Sequence, residues 1–257
     1  AYGSRLHDGL LARKGSASFV SLFYGGDELD HQALIDMIDE IIENAPIKGV
    51  KVKYGIYEDV DKSLPISAIC DYASMAIETI KENYDLDIAY YTEEVAQRRI
   101  YDQMIENSFE DAMDNEEFVV YYQPKVDIDT EKVVGAEALI RWKKADGTMI
   151  SPGKFIPVYE RDGQIEKLDE YVFQKVCRLQ KRKIEEWERP LSISVNLSRS
   201  SILREGIAER YIDIATENEI PFSCVPLELT ESAAIYADRI KNATEQLVKA
   251  GFELHMD

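Results

Sequence analysis

Apolar residues recur with two different periods along this chain. In SFVSLF (18–23) and VKVKYGIY (50–57) they run together or alternate, as in strands. In ALIDMIDEII (33–42) and ISAICDYASMAIETIKE (66–82) they return every three to four residues, which predicts helices with one buried face. The polar, tyrosine-containing stretch over 84–91 reads as an edge strand and domain exit. A charged helix is predicted over 92–115, with Ile100, Met104, Ile105 and Phe109 near helical spacing. It is the expected linker into a second domain.

From Phe118 onward the alternation resumes. FVVYYQPKV and KVVGAEALIRW read as strands, and LDEYVFQKVCRLQKRKIEEW as a helix. The strands LSISVNLS, PLELTES and FELHMD then alternate with the helices IAERYIDIATENE and RIKNATEQLVKAG. After the first two strands this is a repeating β-α-β pattern, which predicts parallel strands wrapped by helices. The expected organisation is a first domain over residues 1–91, a linker over 92–117 and a second domain over 118–257. No internal repeat or low-complexity tract interrupts it.

Composition narrows the chemistry. The 257 residues suit one large domain or two smaller ones. A net charge of −19 excludes the basic footprint of a DNA- or RNA-binding protein. An anionic ligand would need metal ions or a few well-placed arginines. No run of eighteen or more apolar residues appears, so no membrane span is expected. AYGSRLHDGL lacks the apolar core of a signal peptide. Cys70, Cys177 and Cys224 are odd in number and scattered, which points to a reducing compartment. With only His7, His31 and His255 available, a metal would be held mainly by oxygen ligands, favouring Mg²⁺, Mn²⁺ or Ca²⁺.

FYGGDELD (23–30) resembles the signature of diguanylate cyclases, the GGDEF family, but its context differs. The family's acidic motif sits on a turn between paired strands, where carboxylates hold metal ions against GTP phosphates. FYGGDELD follows a strand and leads straight into a predicted helix, where Asp27 or Asp30 is suited to cap it. LLARKGSASFVSLF (10–23) is more similar to the family's hairpin: Arg13 and Lys14 precede Gly15, Ser16, Ala17, Ser18 and Phe19 at the five motif positions. The spacing from Gly15 to Gly55 also matches the family better than the spacing from Gly25. On this reading both acidic positions have become Ala17 and Ser18, and the cyclase site is dead. RLHD (5–8) resembles the family's inhibitory RxxD site, with a spacing to Gly15 one residue too long. The resemblance covers only the second half of a GGDEF domain.

The second domain resembles the EAL family of cyclic di-GMP phosphodiesterases through blocks that occur in order: YYQPKVD, GAEALIRW, SPGKFIPVYERDG, SVNLS, LELTES and ELHMD. The strand pattern agrees with it. Alternate residues share a face, so Glu137, Leu139 and Arg141 point one way, and Asn196, Glu228 and Asp257 each face away from apolar neighbours. A single Glu or Asn on a strand is more often a solvated edge or a satisfied core group. Four in succession at family positions reverse that reading. In a β/α barrel such residues gather at the C-terminal ends of the strands.

The resemblance implies an α/β fold, an EAL-type (β/α) barrel incomplete in this chain, preceded by a partial α+β GGDEF-like domain. It implies hydrolysis of cyclic di-GMP to pGpG, with Glu137, Asn196, Glu228 and Asp257 holding Mg²⁺ or Mn²⁺. Gln123, Leu139 and Arg141 match substrate contacts, Leu139 near the guanine and Arg141 on a phosphate; an outer-rim ion pair is the other role open to Arg141. The family motif continues beyond Asp257 with a second Asp, a Lys and further acidic residues, and the general base is expected there. The polypeptide ending at Asp257 is expected to be inactive alone. An inactive cyclic di-GMP receptor or signalling scaffold is the alternative. GTP at the degenerate half, a homodimer and a cytoplasmic location, with a membrane tether upstream as a variant, complete the expectations.

Overall fold

A computed structural model describes residues 9–16, 18–23, 40, 43–44, 51–81, 83, 85–187, 190–230 and 237–256. The chain divides into two compact units, residues 1–100 and 101–257.

In the first unit β1 (Gly9–Arg13) and β2 (Phe19–Phe23) form an antiparallel hairpin, with Arg13 opposite Phe19. The Arg13 guanidinium closes the turn by donating to the carbonyls of Gly15 and Ser16 at 2.7 and 2.8 Å. Lys14 reaches Asp71 at 3.0 Å and the Ser74 hydroxyl at 3.3 Å. The stretch that resembles the cyclase hairpin is therefore a hairpin, with Gly15, Ser16 and Ser18 between the strands and Phe19 opening the second. Ala17, RLHD and all of FYGGDELD after Phe23 lie outside the described residues. So does nearly all of the predicted helix over 33–42.

Further on, β3 (Tyr54–Ile56) pairs in parallel with β4 (Ile88–Tyr90), and α1 (Ile66–Ile80) connects them. Gly55 lets the strand lie against this helix: an added Cβ would fall 1.9 Å from the Ala73 carbonyl oxygen. α1 buries Ala76 and Ile80, as its sequence period predicts.

The charged stretch over 92–115 forms two helices, α2 (Glu93–Asn107) and α3 (Phe109–Asp114). They break at Ser108, whose hydroxyl turns back to the Met104 carbonyl at 2.7 Å. Ile105, Phe109 and Ala112 do not serve only as a linker. They are buried with Phe118, Trp142, Phe155 and Tyr159 in an aromatic core of the second unit.

That unit is built on one sheet. β5 (Phe118–Val126) runs antiparallel to β6 (Val133–Lys143), and β7 (Met149–Ile150) also pairs with β6. β8 (Ser192–Leu197), β9 (Leu227–Leu229) and β10 (Leu254–Met256) follow in parallel, so the order is β10-β9-β8-β6-β5. Helices separate the parallel strands: α4 (Pro152–Asp162) and α5 (Ile165–Trp187) before β8, α6 (Arg199–Leu203) and α7 (Ile207–Glu217) before β9, and α8 (Ala237–Ala250) before β10. Ala138, Val195, Leu197, Leu227 and Leu229 line one face of the sheet and pack on Phe173, Val176 and Cys177 of α5, Tyr211 and Ile214 of α7 and Leu247 of α8. This burial commits one face of each strand to the core and leaves alternate residues on the other. No helix among the described residues is long and apolar enough to cross a membrane.

Burial pushes the Cys177 thiol up to about 12 and the Cys224 thiol up to about 11. Cys70 is only half-buried. A thiol-alkylating reagent at pH 8 is expected to modify Cys70 in the native protein and to reach the other two only on unfolding, as counted by mass spectrometry. Rapid native labelling of Cys177 would contradict this packing.

Candidate active site

The open face of the sheet gathers polar side chains in a row. Glu137 on β6 stands opposite Gln123 on β5 and level with Ser194 on β8. Asn196, two residues further along β8, is level with Glu228 on β9, which is level with His255 on β10. Leu139 and Arg141 continue the Glu137 face, opposite Tyr121 and Val119 of β5. The period-two pattern of each strand and the parallel register therefore bring together residues far apart in sequence.

The contacts are specific. The Asn196 side-chain amide donates to Glu137 Oε1 at 2.9 Å. That spends the NH₂ on the carboxylate, and Asn196 Oδ1 accepts no hydrogen bond among the described residues. Glu228 is only 6% exposed. Its charge is met by Lys125, whose Nζ lies 2.5 Å from Glu228 Oε1 and 2.8 Å from the Ser194 hydroxyl. His255 Nδ1 lies 3.9 Å from the same carboxylate oxygen, and its Nε2 lies 3.6 Å from Glu253. A carboxylate buried this far needs a cation or several donors, and here the lysine supplies the cation.

Arg141 is half-buried and donates to the Ile140 carbonyl at 2.8 Å. No ion pair holds it among the described residues, so the rim ion pair finds no support there. Gln123 is exposed on the edge strand, and Leu139 is half-buried. Asp257 lies outside the described residues. Among the described residues no three His, Cys, Asp or Glu side chains converge on one point.

Lys125, Ser194 and His255 belong to this face and escaped the sequence reading. Each lies two residues from a residue that it singled out: Gln123, Asn196 and Asp257. The alternation that selected those residues also places Lys125, Ser194 and His255 beside them.

The EAL-domain family model matches residues 106–257. The chain belongs to the EAL family. The match begins within α2, so the EAL domain takes in the buried residues of α3 that pack on Phe118. The chain is 31% identical over 147 residues to the bifunctional diguanylate cyclase/cyclic di-GMP phosphodiesterase MucR of Pseudomonas aeruginosa, covering 57% of this chain and 22% of MucR. It is 26% identical over 263 residues to the cyclic di-GMP phosphodiesterase PdeR of Escherichia coli, covering 98% of this chain and 39% of PdeR. The chain thus spans well under half the length of these curated relatives.

Among solved structures, the PaMucR phosphodiesterase in complex with c-di-GMP aligns with a TM-score of 0.56 at 29% identity, over 59% of this chain and 62% of that one. The FimX EAL domain from Pseudomonas aeruginosa, bound to c-di-GMP, aligns at 0.54 and 19% identity, over 60% and 61%. This second likeness shows the fold, the barrel-like β/α arrangement of EAL domains.

Proposed function

We propose that the EAL domain is part of a cyclic di-GMP phosphodiesterase that opens one phosphodiester bond to give pGpG with the help of Mg²⁺ or Mn²⁺. The observation that carries this reading is the row Glu137–Asn196–Glu228, three oxygen donors on adjacent strands of one sheet face. Relatives named as cyclic di-GMP phosphodiesterases support the substrate.

The donor set suits a hard cation: two carboxylates, and an amide oxygen left without a donor. Lys125 already places positive charge against Glu228, which supports reading Glu228 as a carboxylate that takes a cation partner. Glu137, Asn196, Glu228 and Asp257 would hold the metal. When bound, a divalent cation polarises the phosphate and makes a water a stronger nucleophile. Asn196 orients Glu137 through its amide, and Lys125 holds Glu228 in place. Arg141 presents its fork to a substrate phosphate, Gln123 a polar contact at the edge, and Leu139 an apolar surface for guanine.

Residues 1–91 are proposed to be a partial, degenerate GGDEF-like domain. Ala17 and Ser18 lack carboxylates, and Arg13 spends its guanidinium on the turn itself. It would regulate its neighbour by binding GTP or by pairing with a second copy of the chain in the cytoplasm.

The test is release of pGpG by the protein in its natural full length, with Mg²⁺ or Mn²⁺, beside Glu137→Ala, and with binding followed in Ca²⁺. The expected result is metal-dependent turnover that falls more than about a hundredfold in the variant. Tight binding without turnover would make the protein a receptor. Absence of binding would leave only a scaffold.

A further inference from the structure

Behind the sheet, α5 carries a carboxylate that the proposed reaction does not use. Asp169 is 9% exposed. Its Oδ2 accepts from the Ser198 backbone N–H at 2.9 Å and from the Ser201 hydroxyl at 2.7 Å. The Ser198 hydroxyl donates to Ser201 Oγ at 3.0 Å and accepts from the Ser201 N–H at 3.2 Å, capping α6. Each hydroxyl proton in this network is used once, and both chains of donors end on Asp169.

No Lys or Arg pairs with Asp169 among the described residues, and burial pushes its acid up to about 6. A carboxylate so placed is costly to bury, and it is held by two donors from the junction of β8 and α6, which would be left unpaired without it. Its location indicates what that grip fixes. Ser198 follows directly on β8, two residues after Asn196. Eleven residues further along α5, buried Gln180 holds the other end of the strand. Its Nε2 donates to the carbonyls of Leu191 and, at 2.9 Å, Cys224, and its Oε1 accepts from the Leu191 N–H at 3.2 Å. One helix therefore grips β8 at both ends, and the Asp169 grip is the one nearer Asn196.

We propose that Asp169 is a positioning residue that fixes the C-terminal end of β8 through Ser198 and Ser201 and so holds the Asn196 side chain on Glu137. The assignment rests on reading Asn196 as a site residue, but the positioning itself is read without metal or substrate. In nuclear magnetic resonance, the side-chain NH₂ of Asn196 reports its bond to Glu137 through proton exchange.

Asp169→Ala is expected to speed that exchange roughly tenfold, the loss of about one hydrogen bond. Asp169→Asn, which keeps an accepting oxygen, should fall between wild type and Asp169→Ala. Gln180→Ala breaks the far grip and should lower stability while leaving the Asn196 signals in place. Equal exchange in the Asp169 and Gln180 variants, or no change in either, would overturn the proposal. If Asp169→Ala does not fold, the comparison of Asp169→Asn with Gln180→Ala decides by the same criterion. Release of pGpG by Asn196→Ala separates the two claims: faster exchange in the Asp169 variants beside unimpaired pGpG release by Asn196→Ala would leave the positioning standing and sink the reading of Asn196 as a site residue.

Discussion

Trp142→Ala is expected to destabilise the EAL domain by about 4 kcal/mol. Trp142 is fully buried at the end of β6. Its ring lies 5.2 Å from Phe118 and 5.8 Å, edge to face, from Phe155, centroid to centroid. Its Nε1–H donates to Glu117 at 2.8 Å. Alanine would remove the largest side chain of the aromatic core, and the surrounding rings sit on α3, α4 and β5, which cannot all collapse into the space. The substitution also removes the donor to Glu117. Because Trp142 pairs with both Phe118 and Ile150, the loss loosens the strand that carries Glu137, Leu139 and Arg141. Urea unfolding followed by far-ultraviolet circular dichroism measures the effect. Trp142→Phe, which keeps a ring, should recover more than half of it. A loss below about 1 kcal/mol for the alanine variant would contradict the core packing that its burial indicates.

Gly135→Ala is expected to cost about 2–3 kcal/mol and to damage the site as well. Gly135 stands opposite Ser192 where β6 meets β8. An added Cβ would lie 2.4 Å from the Ser192 carbonyl oxygen and 3.3 Å from its Cβ. The obstructing atom is backbone, so no side-chain rotation relieves it, and the two strands must part. Glu137 and Asn196 sit on these strands, joined by the 2.9 Å hydrogen bond. A separation of about 1 Å there should lower hydrolysis about a hundredfold. Gly153→Ala is the control. It lies in the first turn of α4 with nothing nearer than the Ser151 hydroxyl at 4.0 Å from the added Cβ, and helix propensity favours the change. Equal melting temperatures and equal activity for the two variants would refute the close approach of β6 and β8.

Parts of this architecture are legible in local pattern. FVVYYQPKV reads as a strand and forms β5 with the same bounds. The alternation in GAEALIRW and SISVNLS sorts Glu137 and Asn196 from Ala138 and Val195 because one face of each strand is buried on helices. The three-to-four-residue spacing likewise predicts α1, α5, α7 and α8, each of which turns one stripe to a core. The predicted linker is the instructive exception. It reads as a charged linker helix with Ile100, Met104, Ile105 and Phe109 near helical spacing, yet Ile105 and Phe109 are fully buried in the core of the second unit. Two apolar residues suffice when a neighbouring aromatic cluster stands ready to receive them, and that cluster comes from distant parts of the sequence.

The order of strands and helices, the faces they bury, the EAL resemblance and the candidate oxygen donors Glu137, Asn196 and Glu228 are legible in the chain alone. These depend on residues two to four positions apart, a range over which a strand or helix repeats its geometry. Lys125 on Glu228, across 103 residues, and Asp169 on Ser201, across 32, were decided only by the tertiary structure. So were the helix break at Ser108 and the short helix α6 that Ser198 caps. Such pairs arise from parallel register and helix docking, and both are set by the summed packing of the whole sheet rather than by any neighbouring residue.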